Sequence, residues 1–147
     1  MKTNALLLLT LLLFSVNALA GKSGWEDNYD KALAEAKETN KLVLLDFTGS
    51  DWCGWCMKLD EEVFSKSDFK KYAKANLVLV ELDYPRGKSQ TKKLKEQNAA
   101  LKSKFGISGY PTLIVVDAEG KEQARWGGYS KTFLDELKEK VGSIKKQ

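Results

Sequence analysis

The run Leu42-Val43-Leu44-Leu45-Asp46-Phe47-Thr48 leads through Gly49-Ser50-Asp51 into Trp52-Cys53-Gly54-Trp55-Cys56, and nothing else in the chain restricts its fold as tightly. A stretch that is apolar except for one carboxylate is what a central strand, buried on both faces, requires. Both cysteines of the chain lie in the pentapeptide, two residues apart, and the segment from Trp52 to Phe64 reads as a helix. One helical turn brings two such sulfurs close enough to form a disulfide. The unpaired N–H groups and the positive dipole end of the helix then stabilise whichever sulfur is ionised. A strand feeding a helix that starts on a thiol pair predicts a redox switch, and these two sulfurs can oxidise only each other or a partner.

The first residues are Met1-Lys2-Thr3-Asn4, then an almost wholly apolar Ala5 to Val16, then Ala18-Leu19-Ala20 ahead of Gly21-Lys22-Ser23-Gly24. This is the pattern of a secretory signal peptide, residues 1–20, cleaved after Ala20. Its apolar core of about a dozen residues is shorter than the roughly 20 needed to span a membrane. No cysteine sits near that point, which excludes a lipoprotein anchor. Residues 21–147 then form one domain, expected to be secreted, monomeric and without a membrane span. The 24 Lys and Arg against 20 Asp and Glu give a formal net charge of +4, spread along the sequence. That distribution argues against nucleic acid as a partner. The chain has 0 histidines, which removes His-based zinc sites, Cys-His nucleophile pairs and c-type haem attachment. No metal and no cofactor beyond a Cys53–Cys56 disulfide is expected.

Helices and strands alternate along the rest. A helix is expected over Asp27 to Asn40, with Tyr29, Ala32, Leu33 and Ala36 on one face and Asp27 as N-cap. A break near Ser65 precedes a second helical stretch, Ser67 to Ala75. Leu77 to Asp83 is a strand ended by Pro85-Arg86-Gly87, and Gln90 to Phe105 a lysine-rich helix with a solvated basic face. Thr112 to Val116 is a strand, Asp117-Ala118-Glu119-Gly120 a hairpin turn and Gln123 to Trp126 its return. Ser130 to Ile144 is a closing helix with Ser130 as N-cap. The pattern predicts an α/β domain with a central mixed β-sheet flanked by helices on both faces.

The chemistry follows from the thiols. A cysteine of pKa near 8.5 becomes about half ionised at pH 7 when lowered by about 1.5 units, roughly 2 kcal/mol. A helix N-terminus supplies on the order of 0.5 to 2 kcal/mol, so no neighbouring base is required. Cys53, at the outer edge of the turn, is the expected nucleophile, and Cys56, one turn in and more buried, the resolving thiol. Asp46 is costly to bury charged, should be partly protonated near neutrality, and is placed to take the Cys56 proton. Trp52 and Trp55 flank the thiols around Gly54 and form an apolar docking surface, whereas Trp25 and Trp126 are assigned to packing. Three other readings stand beside exchange chemistry. The pair can be an inert staple, although so short a loop removes little chain entropy. Cys53, Cys56 and Met57 can hold Cu(I). The domain can also be a non-enzymatic module presenting Trp52, Trp55 and Tyr110 to a client.

Trp-Cys-x-x-Cys after a strand with a buried Asp, then Gly109-Tyr110-Pro111-Thr112 before an apolar strand, then Gly127-Gly128 ahead of the last helix, resembles the thioredoxin superfamily. The resemblance covers essentially all of residues 21–147 and implies a thioredoxin fold. It implies that Pro111 is a cis-proline facing the disulfide and that the backbone beside it pairs with a client like an added strand. Tyr110 and Pro111 thereby become substrate contacts. Phe47 to Cys53, with the basic insertion after Pro85, looks most like secreted bacterial thioredoxin-like proteins, which implies the periplasm. It also implies thiol-disulfide exchange with client proteins, and an external donor or acceptor protein, since no nucleotide-binding Gly-x-Gly-x-x-Gly follows a strand. The chain departs from thioredoxin in three places. One extra residue separates Asp46 from Cys53, and Gly54-Trp55 stands where oxidases commonly carry a histidine, which favours the reductase direction. Leu79 stands where many thioredoxins have a lysine, leaving Asp46 with one fewer partner.

Overall fold

The computed structural model describes residues 21–146; the expected signal peptide lies outside them. The elements are α1 (Tyr29–Thr39), β1 (Leu42–Thr48), α2 (Gly54–Leu59), a π-helical turn (Asp60–Phe64), α3 (Ser67–Asn76), β2 (Leu77–Asp83), α4 (Lys92–Lys104), β3 (Thr112–Val116), β4 (Glu122–Gly127) and α5 (Phe133–Ile144). The sheet order is β2-β1-β3-β4. β1 and β2 are parallel, in a register that sets Asp46 opposite Glu81. β1 pairs antiparallel with β3, which pairs antiparallel with β4, so the sheet is mixed as expected.

Every residue of β1 is buried, because both faces of the sheet are covered. Leu42, Leu44, Leu77, Leu79, Leu113 and Val115 pack on one face against Leu59, Val63 and Phe64 of the α2 region, Phe69 of α3 and Phe133, Leu137 and Val141 of α5. Val43, Leu45, Phe47, Val80, Leu82 and Ile114 pack on the other against Tyr29, Ala32 and Ala36 of α1 and Leu101 of α4. Each fully buried Leu or Phe contributes about 1.5 to 3 kcal/mol, so the sheet and the two helical layers hold one another. By strand alternation Asp46 shares the face of Leu42 and Leu44, beneath α2.

Several expected boundaries shift for local reasons. The N-cap of α1 is Asn28, not Asp27; its side chain accepts from the Lys31 N–H at 3.0 Å. Helix α1 stops at Thr39 because Asn40 takes the left-handed conformation, φ 53°, which asparagine tolerates. Thr91 caps α4, which therefore starts at Lys92. Ser130 caps nothing: α5 begins at Phe133, and the Ser130 hydroxyl donates to Glu136 at 2.8 Å. The helix expected over Trp52 to Phe64 starts at Gly54 and ends in the π-turn, where the Ser65 N–H reaches back to the Asp60 carbonyl at 2.8 Å. That extra residue per turn lets adjacent Val63 and Phe64 both enter the core. Trp25 packs on Phe64 with ring centroids 5.0 Å apart and Trp126 on Phe133 at 5.3 Å, both half-buried against the core, in the packing role expected of them.

Candidate active site

Strand β1 ends at Thr48, and the chain turns through Gly49, whose carbonyl accepts from the Cys53 N–H at 2.9 Å. The loop that absorbs the extra residue between Asp46 and Cys53 is tied to the end of β2. The Ser50 N–H and hydroxyl donate to the Asp83 carboxylate at 2.9 and 2.6 Å. Asp51 accepts from the Arg86 and Gly87 N–H groups at 3.0 and 2.6 Å. The Trp52 indole donates to the Tyr84 carbonyl at 2.8 Å. The basic insertion after Pro85 thus serves as the cradle for the residues ahead of the thiols.

Cys53 is the N-cap of α2 and Cys56 lies in its first turn; the two form a disulfide with Cα atoms 5.2 Å apart. The Cys56 N–H donates to the Cys53 sulfur at 3.2 Å. Burial does not separate the two residues as expected: Cys53 is 6% exposed and Cys56 5%. The cap geometry makes the distinction instead. Only Cys53 stands outside the helix and receives an N–H from it, an arrangement that stabilises a thiolate at Cys53 once the disulfide is opened.

Tyr110 and Pro111 are joined by a cis peptide bond at the entry to β3, in agreement with the expected cis-proline. The Tyr110 ring packs edge-on against Trp52 with centroids 5.6 Å apart, beside Cys53 in sequence. Tyr110 lies outside the β1–β3 ladder, and among the described residues its backbone N–H and C=O take part in no hydrogen bond. Gly54 and Trp55 are exposed, Trp55 at 59%. Trp55 stacks on Tyr129 at 5.7 Å, with the Lys58 ammonium 5.0 Å above the Tyr129 ring. Tyr129 was not read from the sequence, although it follows the Gly127-Gly128 pair. The basic face of α4 is mostly exposed, but Lys102 lies over the Tyr84 and Tyr110 rings at 5.6 and 5.4 Å.

Asp46 is buried, and its Oδ1 has no hydrogen-bond partner. Burial pushes its carboxyl from the usual 3.8 up to about 7, helped by the carboxylates of Glu81, Asp60 and Asp83 and opposed by Lys22. The same burial raises Glu81. Leu79 leaves Asp46 without a lysine from β2, as the sequence indicated, but Lys22 arrives from the segment ahead of α1. Among the described residues, no three His, Cys, Asp or Glu side chains converge on a metal-sized site.

A mixed sheet between two helical layers, a Cys-x-x-Cys disulfide at the start of the helix after the central strand, and a cis-proline before β3 make this a thioredoxin-fold protein. Residues 29–140 match the thioredoxin-like domain family, and the chain belongs to it. It is 41% identical over 103 residues to the disulfide bond reductase DsbH of Chlamydia pneumoniae, covering 70% of this chain and 61% of that protein. It is 36% identical over 133 residues to the thioredoxin-related protein DsbJ of the same organism, covering 88% of this chain and 38% of that one. The chain thus spans less than two thirds of the length of either curated relative. A solved DsbH oxidoreductase superposes with a TM-score of 0.74 at 35% identity, over 84% of this chain and 87% of that one.

Proposed function

We propose that this protein is a thiol-disulfide oxidoreductase that reduces disulfides in client proteins, with Cys53 as nucleophile and Cys56 as resolving thiol. The observation that carries this reading is the Cys56 N–H directed at the Cys53 sulfur across the first turn of α2. In the dithiol form the Cys53 thiolate attacks one sulfur of a client disulfide. A Cys53–client bond forms, the client disulfide breaks, and one client thiolate leaves. Cys56 then passes its proton to Asp46, and its thiolate attacks Cys53. The Cys53–Cys56 disulfide forms and the second client sulfur departs as thiolate. Tyr110, with an unbonded backbone edge beside Trp52, offers an extended client segment a place to pair, and Gly54 and Trp55 offer it open surface. Buried Asp46 suits the acceptor role because its proton affinity lies near neutrality.

An outside protein must return two electrons to the disulfide after each cycle. The naming of one relative as a disulfide bond reductase supports the direction. The signal-peptide pattern of residues 1–20 and the bacterial relatives support a periplasmic location. Among the described residues no helix is long and apolar enough to cross a membrane. The test is a Cys56→Ser variant, which should accumulate mixed disulfides with clients through Cys53, while Cys53→Ser should not. Equal trapping by both variants would contradict the assignment, and trapping by neither would contradict the exchange reaction.

A further inference from the structure

The segment ahead of α1 crosses the β2 edge of the sheet. The Lys22 carbonyl accepts from the Trp25 N–H at 3.0 Å. Glu26 adds a bridge beside Val80, its N–H donating to the Leu79 carbonyl at 2.8 Å and its carbonyl accepting from the Glu81 N–H at 2.9 Å. This anchoring carries the Lys22 side chain onto the sheet face beneath α2. There its ammonium lies 4.3 Å over the Trp25 ring and 4.7 Å over the Phe64 ring, and it is ion-paired with Asp60. The side chain is only 23% exposed. Aromatic faces and a carboxylate together hold the cation in place.

The surroundings of Asp46 on that face are acidic or apolar. Glu81 is its register partner on β2, and Asp83 follows two residues later, fastened to Ser50. Asp60 closes α2, and Cys56 lies in its first turn. Leu113 is the register partner on β3, while α3 and α5 contribute Phe69 and Phe133. Three carboxylates and burial all favour a protonated Asp46, and a protonated carboxyl cannot accept the Cys56 proton. The cation opposing them is Lys22.

We propose that Lys22 is a positioning residue for the exchange reaction, its ammonium, on the sheet face that Asp46 shares, favouring the ionised form of the buried Asp46 carboxyl that takes the Cys56 proton. The proposal rests on Asp46 being the proton acceptor in the reaction above. Lys22 touches neither client nor sulfur. It acts through Asp46 alone, so its removal moves the pH at which the resolving step switches on and leaves the first attack by Cys53 unaltered.

The test follows the resolving step by stopped flow, as release of thionitrobenzoate from Cys53 after reaction with Ellman's reagent, across roughly pH 5 to 9. Lys22→Gln should move the midpoint of the profile upward by about one pH unit, and Lys22→Arg should keep the wild-type midpoint. An unmoved midpoint in Lys22→Gln overturns the proposal. So does a slowing of equal size at every pH, which would mark a purely structural role. Asp46→Asn separates the two levels. If it abolishes the midpoint while Lys22→Gln leaves it in place, only the role of Lys22 fails. If Asp46→Asn keeps the wild-type profile, Asp46 is not the acceptor and both readings fall.

Discussion

Replacing Asp46 by Asn should change the pH dependence of stability in a direction that the structure fixes. In the folded protein burial holds the Asp46 carboxyl at about 7 against an ordinary 3.8. Folding therefore takes up a proton between these values. The contribution of the protonated acid is complete below about pH 4, declines as pH rises, and is gone once the folded group ionises near pH 7. A shift of about 3 units corresponds to about 4 kcal/mol at most. Asp46→Asn keeps the shape and removes the ionisation, so it should match wild type near pH 4 and exceed it near pH 8. The assay is urea unfolding of the oxidised protein. With an m-value of about 2 kcal/mol per molar, the gap between midpoints should open from near zero to about 1 to 2 M across that range. Parallel curves, or an Asn variant less stable than wild type near pH 8, would refute the reasoning.

Two further substitutions probe the surroundings of the thiols. A Cβ at Gly49 would sit 2.4 Å from the Trp52 ring, so Gly49→Ala should expel the indole from its bond to the Tyr84 carbonyl. A loss of about 1 to 3 kcal/mol with a shifted tryptophan emission spectrum is expected; unchanged stability would count against that packing. Trp55→Ala removes a ring that is 59% exposed, and should leave stability within about 0.5 kcal/mol of wild type while lowering kcat/KM for a protein client by about tenfold. Unaltered client kinetics would remove Trp55 from the docking surface.

The strands were legible because their cause is local. Leu42–Thr48, Leu77–Asp83 and Thr112–Val116 are apolar runs, and burial on two faces leaves such runs little alternative. The thiol pair and the Gly-Tyr-Pro-Thr turn were legible for the same reason, since each is a contiguous signal. What the sequence withheld depends on contacts between distant segments. Lys22 and Asp46 are separated by all of α1, and the lysine reaches the acid's face of the sheet through the Glu26 bridge to β2 and its own contacts with Phe64 and Asp60. The similar burial of Cys53 and Cys56 was equally hidden, because burial depends on contacts between segments that no local pattern records. The π-turn after α2 carries no breaker residue; it arises where Val63 and Phe64 both find room in the core.

The reduction potential of the Cys53–Cys56 pair, measured by equilibration with a glutathione redox buffer, tests the reductase reading most directly. A potential near about −270 mV is predicted for a dithiol that donates electrons to client disulfides. A potential near about −120 mV would make the same pair an oxidant and contradict that direction.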